Sequence, residues 1–407
     1  MRNSQSYRWV VALTAGAITA TSFISLTSFS VATPFIAQTT GMRTELVNTI
    51  GVDAFSIALF VAFLMGSGGF FDTKIKLGVF IAQASLIIPQ FLIPTLLSPW
   101  LLALLRFSQG LVIMMLALFS IQLTGWFKPT ERALSLSFTM GAIPLGGAIG
   151  GISSSYFLKF GWQNMYYING LFMLLGNVIY FGFSKTSKSF EEKVITSKAK
   201  VKVNIWTKKI TWMMGFLPMP VAWSLFSMGG FLPTFGYHLG YKPSQIGTLM
   251  LTWGIAGGIS CFVGAIIGDS LAKRKSSNQE IFHARLVVML IANVLVGAGA
   301  LLMLCLGSRS FGWLIVGAII NTFSQILAPN YWASLSNIFP PALIGVGAFA
   351  LGLLSNIPSA VGPLISSWMI NQTGWNGFFV VMIALAIVGI LLGLFITHID
   401  VLDKEEA

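Results

Sequence analysis

Apolar residues gather into twelve runs separated by short polar or Gly/Pro-rich breaks. The runs are 9–36, 47–70, 76–97, 100–126, 132–158, 163–183, 211–235, 244–268, 285–307, 311–334, 343–369 and 375–397. Each is about 20 residues or longer, the length an α-helix needs to cross the hydrocarbon core of a bilayer. Several breaks are only a few residues, as at Ser308 to Ser310 and Gln372 to Gly374, so neighbouring runs must be antiparallel. The pattern predicts an all-α membrane protein of twelve transmembrane helices.

Composition sharpens this. The chain is 55% hydrophobic and 9% charged, with a mean hydropathy of +0.82, whereas soluble domains are about a quarter charged. Lipid has to cover most of such a surface. The first run is too long for the apolar core of a signal peptide and reads as a retained span. Cys261 and Cys305 both fall inside apolar runs, which argues against a disulfide framework or a thiolate metal site. No cofactor is expected.

The net charge of +12 invites a nucleic-acid reading that the placement of the charges removes. Of the 24 Lys and Arg residues, nineteen fall in breaks or at run ends on one side of the predicted membrane and four (Arg43, Lys159, Lys242 and Arg309) on the other. Arg106 alone lies in the interior of a run. Basic residues are retained in cytoplasmic loops, so the reading is a multi-pass protein of the inner (cytoplasmic) membrane with both termini in the cytoplasm. The partners expected are the bilayer and a small-molecule substrate, with a coupling ion (proton or sodium) as a further candidate. The chain is expected to act as a monomer, without nucleic acid.

The segment from Ser184 to Lys209 carries eight Lys against Glu191 and Glu192 and divides the runs six and six. The predicted organisation is therefore an N-terminal six-helix bundle over 1–183, a basic linker over 184–210 and a C-terminal six-helix bundle over 211–407. The halves repeat one another. Gly161-Trp162 opens the sixth run and Gly374-Trp375 the twelfth, while Asp72 ends the second and Asp269 the eighth. Such duplication is a common way of building secondary carriers, with the solute site between the halves.

Four local patterns resemble the major facilitator superfamily, and the resemblance covers essentially the whole chain. After the second run, Gly68-Gly69-Phe70-Phe71-Asp72-Thr73-Lys74-Ile75-Lys76 is similar to the family's loop motif, although Thr73 and Ile75 depart from its usual Arg and Gly. Its second-half counterpart is Gly264 to Asp269, followed by Lys273-Arg274-Lys275. Arg106-Phe107-Ser108-Gln109-Gly110 matches the intramembrane R-x-x-Q-G pattern, and Gly141 to Gly151 resembles the Gly-rich fifth helix, with Gly147 where antiporter branches carry Pro.

The resemblance implies two pseudo-symmetric bundles working by alternating access. It makes Asp72, Lys74, Lys76, Asp269, Lys273 and Arg274 gating candidates, since a carboxylate at a helix end can cap a neighbouring helix and pair with loop cations. The alternative is that these are ordinary solvated charges. By the same analogy the first, fourth, seventh and tenth helices line the cavity, which nominates Ser25, Ser28, Arg106, Gln109, Trp223, Ser227, Asn321 and Gln325 for the substrate. Two readings stand for Arg106, a substrate contact or a side chain satisfied by helix carbonyls. Asn321 and Gln325 are open in the same way between substrate contact and helix–helix hydrogen bond.

No Asp or Glu lies at mid-membrane depth, and no Ser-His-Asp, metal-ligand or paired-carboxylate set appears in the runs. An enzyme is not expected. The reading is a carrier of a small organic solute, with an anion or carboxylate favoured by the lone Arg106. The rivals are a multidrug exporter of the same fold and a substrate-sensing receptor.

Overall fold

A computed structural model of the protein describes residues 2–66, 68–95, 98–198 and 203–402. Lys200, Lys202 and Lys404, counted above, lie outside the described residues. Ten helices are long and apolar enough to cross a bilayer, and Ile50–Gly66 is a shorter apolar one. The last of the ten, Pro341–Ile396, is two helices joined across Gly374 (φ 70, ψ −170), which brings the crossings to twelve.

In chain order the spans are Arg2–Thr40, Thr44–Gly66, Ile75–Thr95, Pro99–Thr124, Pro129–Phe160 and Trp162–Phe183, then Lys209–His238, Pro243–Ala272, Asn278–Leu306, Phe311–Ile338, 341–373 and 375–396. Between the sixth and seventh spans, Lys188–Lys198 forms a linker helix. The face of the molecule that carries this linker is called the basic face below.

Local chemistry sets many of these boundaries. Pro99, Pro129 and Pro341 stand in the first turn of their spans, where a missing N–H costs no helical hydrogen bond. Ser277 and Glu280 form a reciprocal capping box at the start of the ninth span, and Ser310 Oγ accepts the Trp313 N–H at the start of the tenth.

The duplication seen in the sequence is geometric as well. Gly161 (φ 95) and Gly374 (φ 70) make the same tight link before the sixth and twelfth spans, in a region of φ that side chains other than Gly's rarely enter. The fourth and tenth spans are each interrupted by a 3-10 turn, at Leu111–Met114 and Phe323–Ile326. Such turns inside a helix are common at hinges.

Packing divides the molecule by depth. One apolar core runs through both halves on the basic side, from Val11 and Phe63 to Phe349 and Leu402. Away from that face there are two cores. One, around Phe29, Ile36, Leu102 and Tyr166, is drawn entirely from the first six spans. The other, around Trp223, Phe235, Trp253 and Phe378, comes entirely from the last six. The halves are thus closed against each other on the basic side and packed separately on the opposite side.

Candidate functional site

The closed seam is built twice, from equivalent spans. The second span, through Phe63, and the link after it, through Phe71, meet Phe349 of the eleventh at ring-centroid distances of 6.2 and 6.1 Å. The fifth and eighth meet through Phe138 and Phe262 at 5.2 Å, and a Cβ on Gly254 would lie 3.0 Å from that of Ala148. Small residues let these backbones approach. Between the two seams, Ser120 Oγ donates to the Trp332 carbonyl at 3.0 Å.

A carboxylate lies at the basic end of each seam. Asp269, 4% exposed, accepts the backbone N–H groups of Ala133 (3.3 Å) and Leu134 (2.8 Å) at the start of the fifth span. There it meets the positive end of a helix from the other half. It also pairs with Arg285 at 2.7 Å, and Arg285 in turn donates to the Pro129 carbonyl at 2.5 Å and to Asn330 Oδ1 at 3.3 Å. Asp72, 1% exposed, holds the equivalent place at the other seam, its carboxylate lying where a side chain on Gly345 would point. Gly345 is in the first turn of the eleventh span.

The basic residues named with these carboxylates are placed differently from expectation. The cation bound to Asp269 is Arg285 of the ninth span, not Lys273 or Arg274, which are exposed. Lys74 is exposed with its Nζ 4.6 Å from the Phe70 ring centre, and Lys76 is half-buried. Arg132, one residue before the Asp269 acceptor site, donates to the Phe127 and Thr124 carbonyls and to Ser336 across the halves.

Arg106 is 2% exposed and lies within the first six spans. Its guanidinium sits 4.1 Å from the Phe29 ring centre and 4.9 Å from that of Phe55, so two aromatic faces help to solvate it. Nε donates to the Gly51 carbonyl at 3.2 Å and Nη1 to Gln109 Oε1 at 2.7 Å. The line continues from Gln109 to Gln90 (3.1 Å) and from Gln90 to the Tyr166 carbonyl (3.0 Å). Arg106 and Gln109 are therefore brought together as their spacing predicted. No carboxylate lies within ion-pair distance of Arg106 among the described residues.

The remaining substrate candidates fall into separate groups. Ser25 and Ser28 donate to carbonyls of their own helix, those of Ser22 and Ser25. Trp223 donates to Ser366 at 3.2 Å and Ser366 to Ser227 at 3.0 Å, which ties the seventh span to the eleventh. Asn321 accepts from Ser224 at 2.7 Å and donates to the Val296 carbonyl at 3.3 Å, a helix–helix bond within the last six spans. Gln325, 5% exposed and inside the 3-10 turn, has no side-chain hydrogen bond among the described residues.

Two residues that the sequence did not single out also carry buried polar groups with unused bonding capacity. Trp253 Nε1 and Thr322 Oγ1 are buried without a hydrogen-bond partner. A Cβ on Gly257, one turn from Trp253, would meet Thr322 Oγ1 at 2.8 Å and the Pro144 ring at 3.3 Å. The eighth and tenth spans thus converge on the fifth at a point where the Thr322 hydroxyl has bonding capacity to spare.

Comparison with known proteins follows this geometry. The family model described as Major Facilitator Superfamily matches residues 15–278 and 279–406. The chain is 24% identical over 277 residues to the hexuronate transporter of Bacillus subtilis (strain 168), a match that spans 64% of each protein. It is 23% identical over 340 residues to the inner membrane metabolite transport protein YhjE of Escherichia coli (strain K12), covering 77% of this chain and 73% of that one. The crystal structure of the human organic anion transporter MFSD10 (TETRAN) has the same fold. Its TM-score is 0.70 at 14% identity, over 96% of this chain and 99% of that one.

Proposed function

Because the chain belongs to the major facilitator superfamily, whose members are transporters and not enzymes, we propose that it carries a small organic anion across the cytoplasmic membrane by alternating access. The moving parts are the bundles of residues 1–183 and 211–407, joined by the linker of 184–210. In this reading the basic face is cytoplasmic, the distribution of Lys and Arg supporting that orientation. The seams at Asp72 and Asp269 then close the cytoplasmic side while the outer ends of the bundles stand as separate cores.

The observation that carries the choice of solute is the charge balance of the interior. Four charged side chains are buried among the described residues: Asp72, Arg106, Asp269 and Arg285. Asp269 and Arg285 neutralise each other at the basic face, and Asp72 is at that face too. Arg106, two turns inside the fourth span, keeps a positive charge with no carboxylate in ion-pair distance among the described residues. A carboxylate solute relieves that imbalance and a cation worsens it.

Gln109 and Gln325, with Trp253 and Thr322, supply amide, indole and hydroxyl groups to orient the solute's neutral part. Ser25, Ser28, Trp223, Ser227 and Asn321 shape the walls through their helix contacts. The names of the hexuronate and organic anion transporters point to the same class of solute. Counterflow in proteoliposomes tests the reading. Radiolabelled carboxylates such as glucuronate should exchange against unlabelled solute inside, and exchange confined to cationic solutes would overturn it in favour of the exporter.

A further inference from the structure

Gln325 lies in the 3-10 turn that interrupts the tenth span, Phe323–Ile326, and side chains clasp that turn against its neighbours. From the eighth span, Ser260 Oγ donates to the Thr322 carbonyl and Cys261 Sγ to the Gln325 carbonyl, both at 3.4 Å. From within the tenth span, Asn330 Nδ2 donates to the Ile326 carbonyl at 3.0 Å and to the Gly264 carbonyl of the eighth span at 2.8 Å. All three donors are buried. A Cβ on Gly264 would lie 2.5 Å from the Ile326 backbone, so the two spans touch there without an intervening side chain.

The other end of the Asn330 amide points to the basic face. Its Oδ1 accepts from Arg285 at 3.3 Å, and Arg285 pairs with Asp269 at 2.7 Å and donates to the Pro129 carbonyl at 2.5 Å. Asp269 takes the N–H groups of Ala133 and Leu134. Pro129, Ala133 and Leu134 belong to the fifth span, in the other half. A continuous line of buried hydrogen bonds therefore runs from a contact between the halves to the turn that carries Gln325. In the fourth span Leu118 stands at the equivalent distance from its own turn, Leu111–Met114. Leu118 has no side-chain donor or acceptor, so the first half does not repeat the line through that position.

We propose that Asn330 is a positioning residue that holds the turn of the tenth span against the eighth while Asp269 and Arg285 join the halves, and lets it go when they part. The proposal rests on the transport cycle argued above, in which the basic face opens. Withdrawal of the fifth span takes the Pro129 carbonyl from Arg285 and two N–H groups from Asp269. Arg285 then turns wholly to the carboxylate, whose burial it must now offset alone. Asn330 Oδ1 loses its partner, and its N–H groups are no longer aimed at the Ile326 and Gly264 carbonyls. Gln325 and the Thr322 hydroxyl then stand differently in the open and closed states, and a solute that binds them discriminates between the two.

The test reads two thiols in one purified full-length protein, the Ser120→Cys/Cys305→Ala variant. The native Cys261 reports on the clasp. The thiol introduced at position 120, buried where the Ser120 hydroxyl meets Trp332, reports on the seam between the halves. N-ethylmaleimide labelling resolved by peptide mass spectrometry gives a rate for each. Breaking the pair with Asp269→Asn/Arg285→Met should speed both by about ten-fold, the weight of one buried hydrogen bond. Asn330→Leu should speed Cys261 as much, and adding it to the broken pair should speed Cys261 no further. Rates that multiply at Cys261 would make the two places independent and overturn the line, and so would an unchanged Cys261 rate in either variant.

A thiol at Ser154→Cys, buried inside the first half beside Asn169, controls for general loosening, and a parallel rise there overturns the assignment too. If Asn330→Leu fails to fold, Asn330→Asp takes its place, since it keeps an acceptor for Arg285 and gives up the amide N–H groups. If the seam thiol labels in no variant, the opening of this face is overturned, while Cys261 still decides the clasp.

Discussion

Asp269 and Arg285 face each other across 2.7 Å at the basic face, both nearly devoid of solvent contact. The same carboxylate takes two backbone N–H groups from the opposite half. Removing one member of such a pair leaves the other charged and buried, at a cost of about 3–5 kcal/mol. Asp269→Ala should therefore unfold well below the wild type. Replacing both residues, as Asp269→Asn with Arg285→Met, should recover much of the loss. A double-mutant cycle on thermal unfolding checks this, and additive losses would show that the pair is not coupled.

The other seam makes a contrasting prediction. Asp72 lies against Gly345, so Gly345→Ala must push its carboxylate away from the first turn of the eleventh span. Asp72→Asn keeps the shape and removes the charge. Both should weaken closure by on the order of 1–3 kcal/mol, as for a charge-assisted hydrogen bond. The expected signature is slower exchange with solute affinity unchanged within a few-fold, and a double variant no worse than either single one. Unchanged exchange rates would return Asp72 to the standing of a bystander charge.

The sequence disclosed the spans far better than the partners of the candidate gating charges, and Arg285 shows why. Hydropathy alone starts the ninth run at 285, which makes Arg285 a loop cation. The helix starts at Asn278, so Arg285 is two turns inside it, about 10 Å along the axis. The Ser277–Glu280 capping box was the signal that could have moved that boundary. Gly161 and Gly374 were legible for the opposite reason, since a Gly before a Trp at equivalent points of both halves has one conformational meaning. The 3-10 turn around Gln325 and the spare bonding of Trp253 and Thr322 had no such mark. They depend on where the eighth span crosses the fifth, and a linear pattern does not carry crossings.

Topology can be checked without knowing the solute. Glu192 is exposed on the linker helix, and Arg309 is exposed in the link between the ninth and tenth spans. In intact cells a membrane-impermeant thiol reagent should modify Arg309→Cys readily and Glu192→Cys only after permeabilisation, both in a Cys305→Ala background. The reverse pattern would invert the molecule in the membrane and void the assignment of the basic face to the cytoplasm.

The proposed charge selection rests on Arg106, and the structure adds a complication that the measurement has to separate. The guanidinium is a strut as well as a charge, because it binds the Gly51 carbonyl and Gln109 between two aromatic rings. Arg106→Ala should therefore lower stability by about 2–4 kcal/mol through the loss of buried charge-assisted bonds, whatever the solute. Arg106→Lys keeps the charge but not the fork that reaches Gly51 and Gln109 together, so it should fold and bind a carboxylate weakly. Gln109→Met removes the relay's middle member and leaves the positive field in place, so anion binding should fall by no more than about ten-fold, the worth of one hydrogen bond. The ordering that supports the assignment is wild type, then Gln109→Met, then Arg106→Lys, then Arg106→Ala with no detectable anion binding, measured on protein shown to be folded by gel filtration. Equal anion binding in folded Arg106→Ala would leave Arg106 as a strut alone and would falsify its role in selecting the solute.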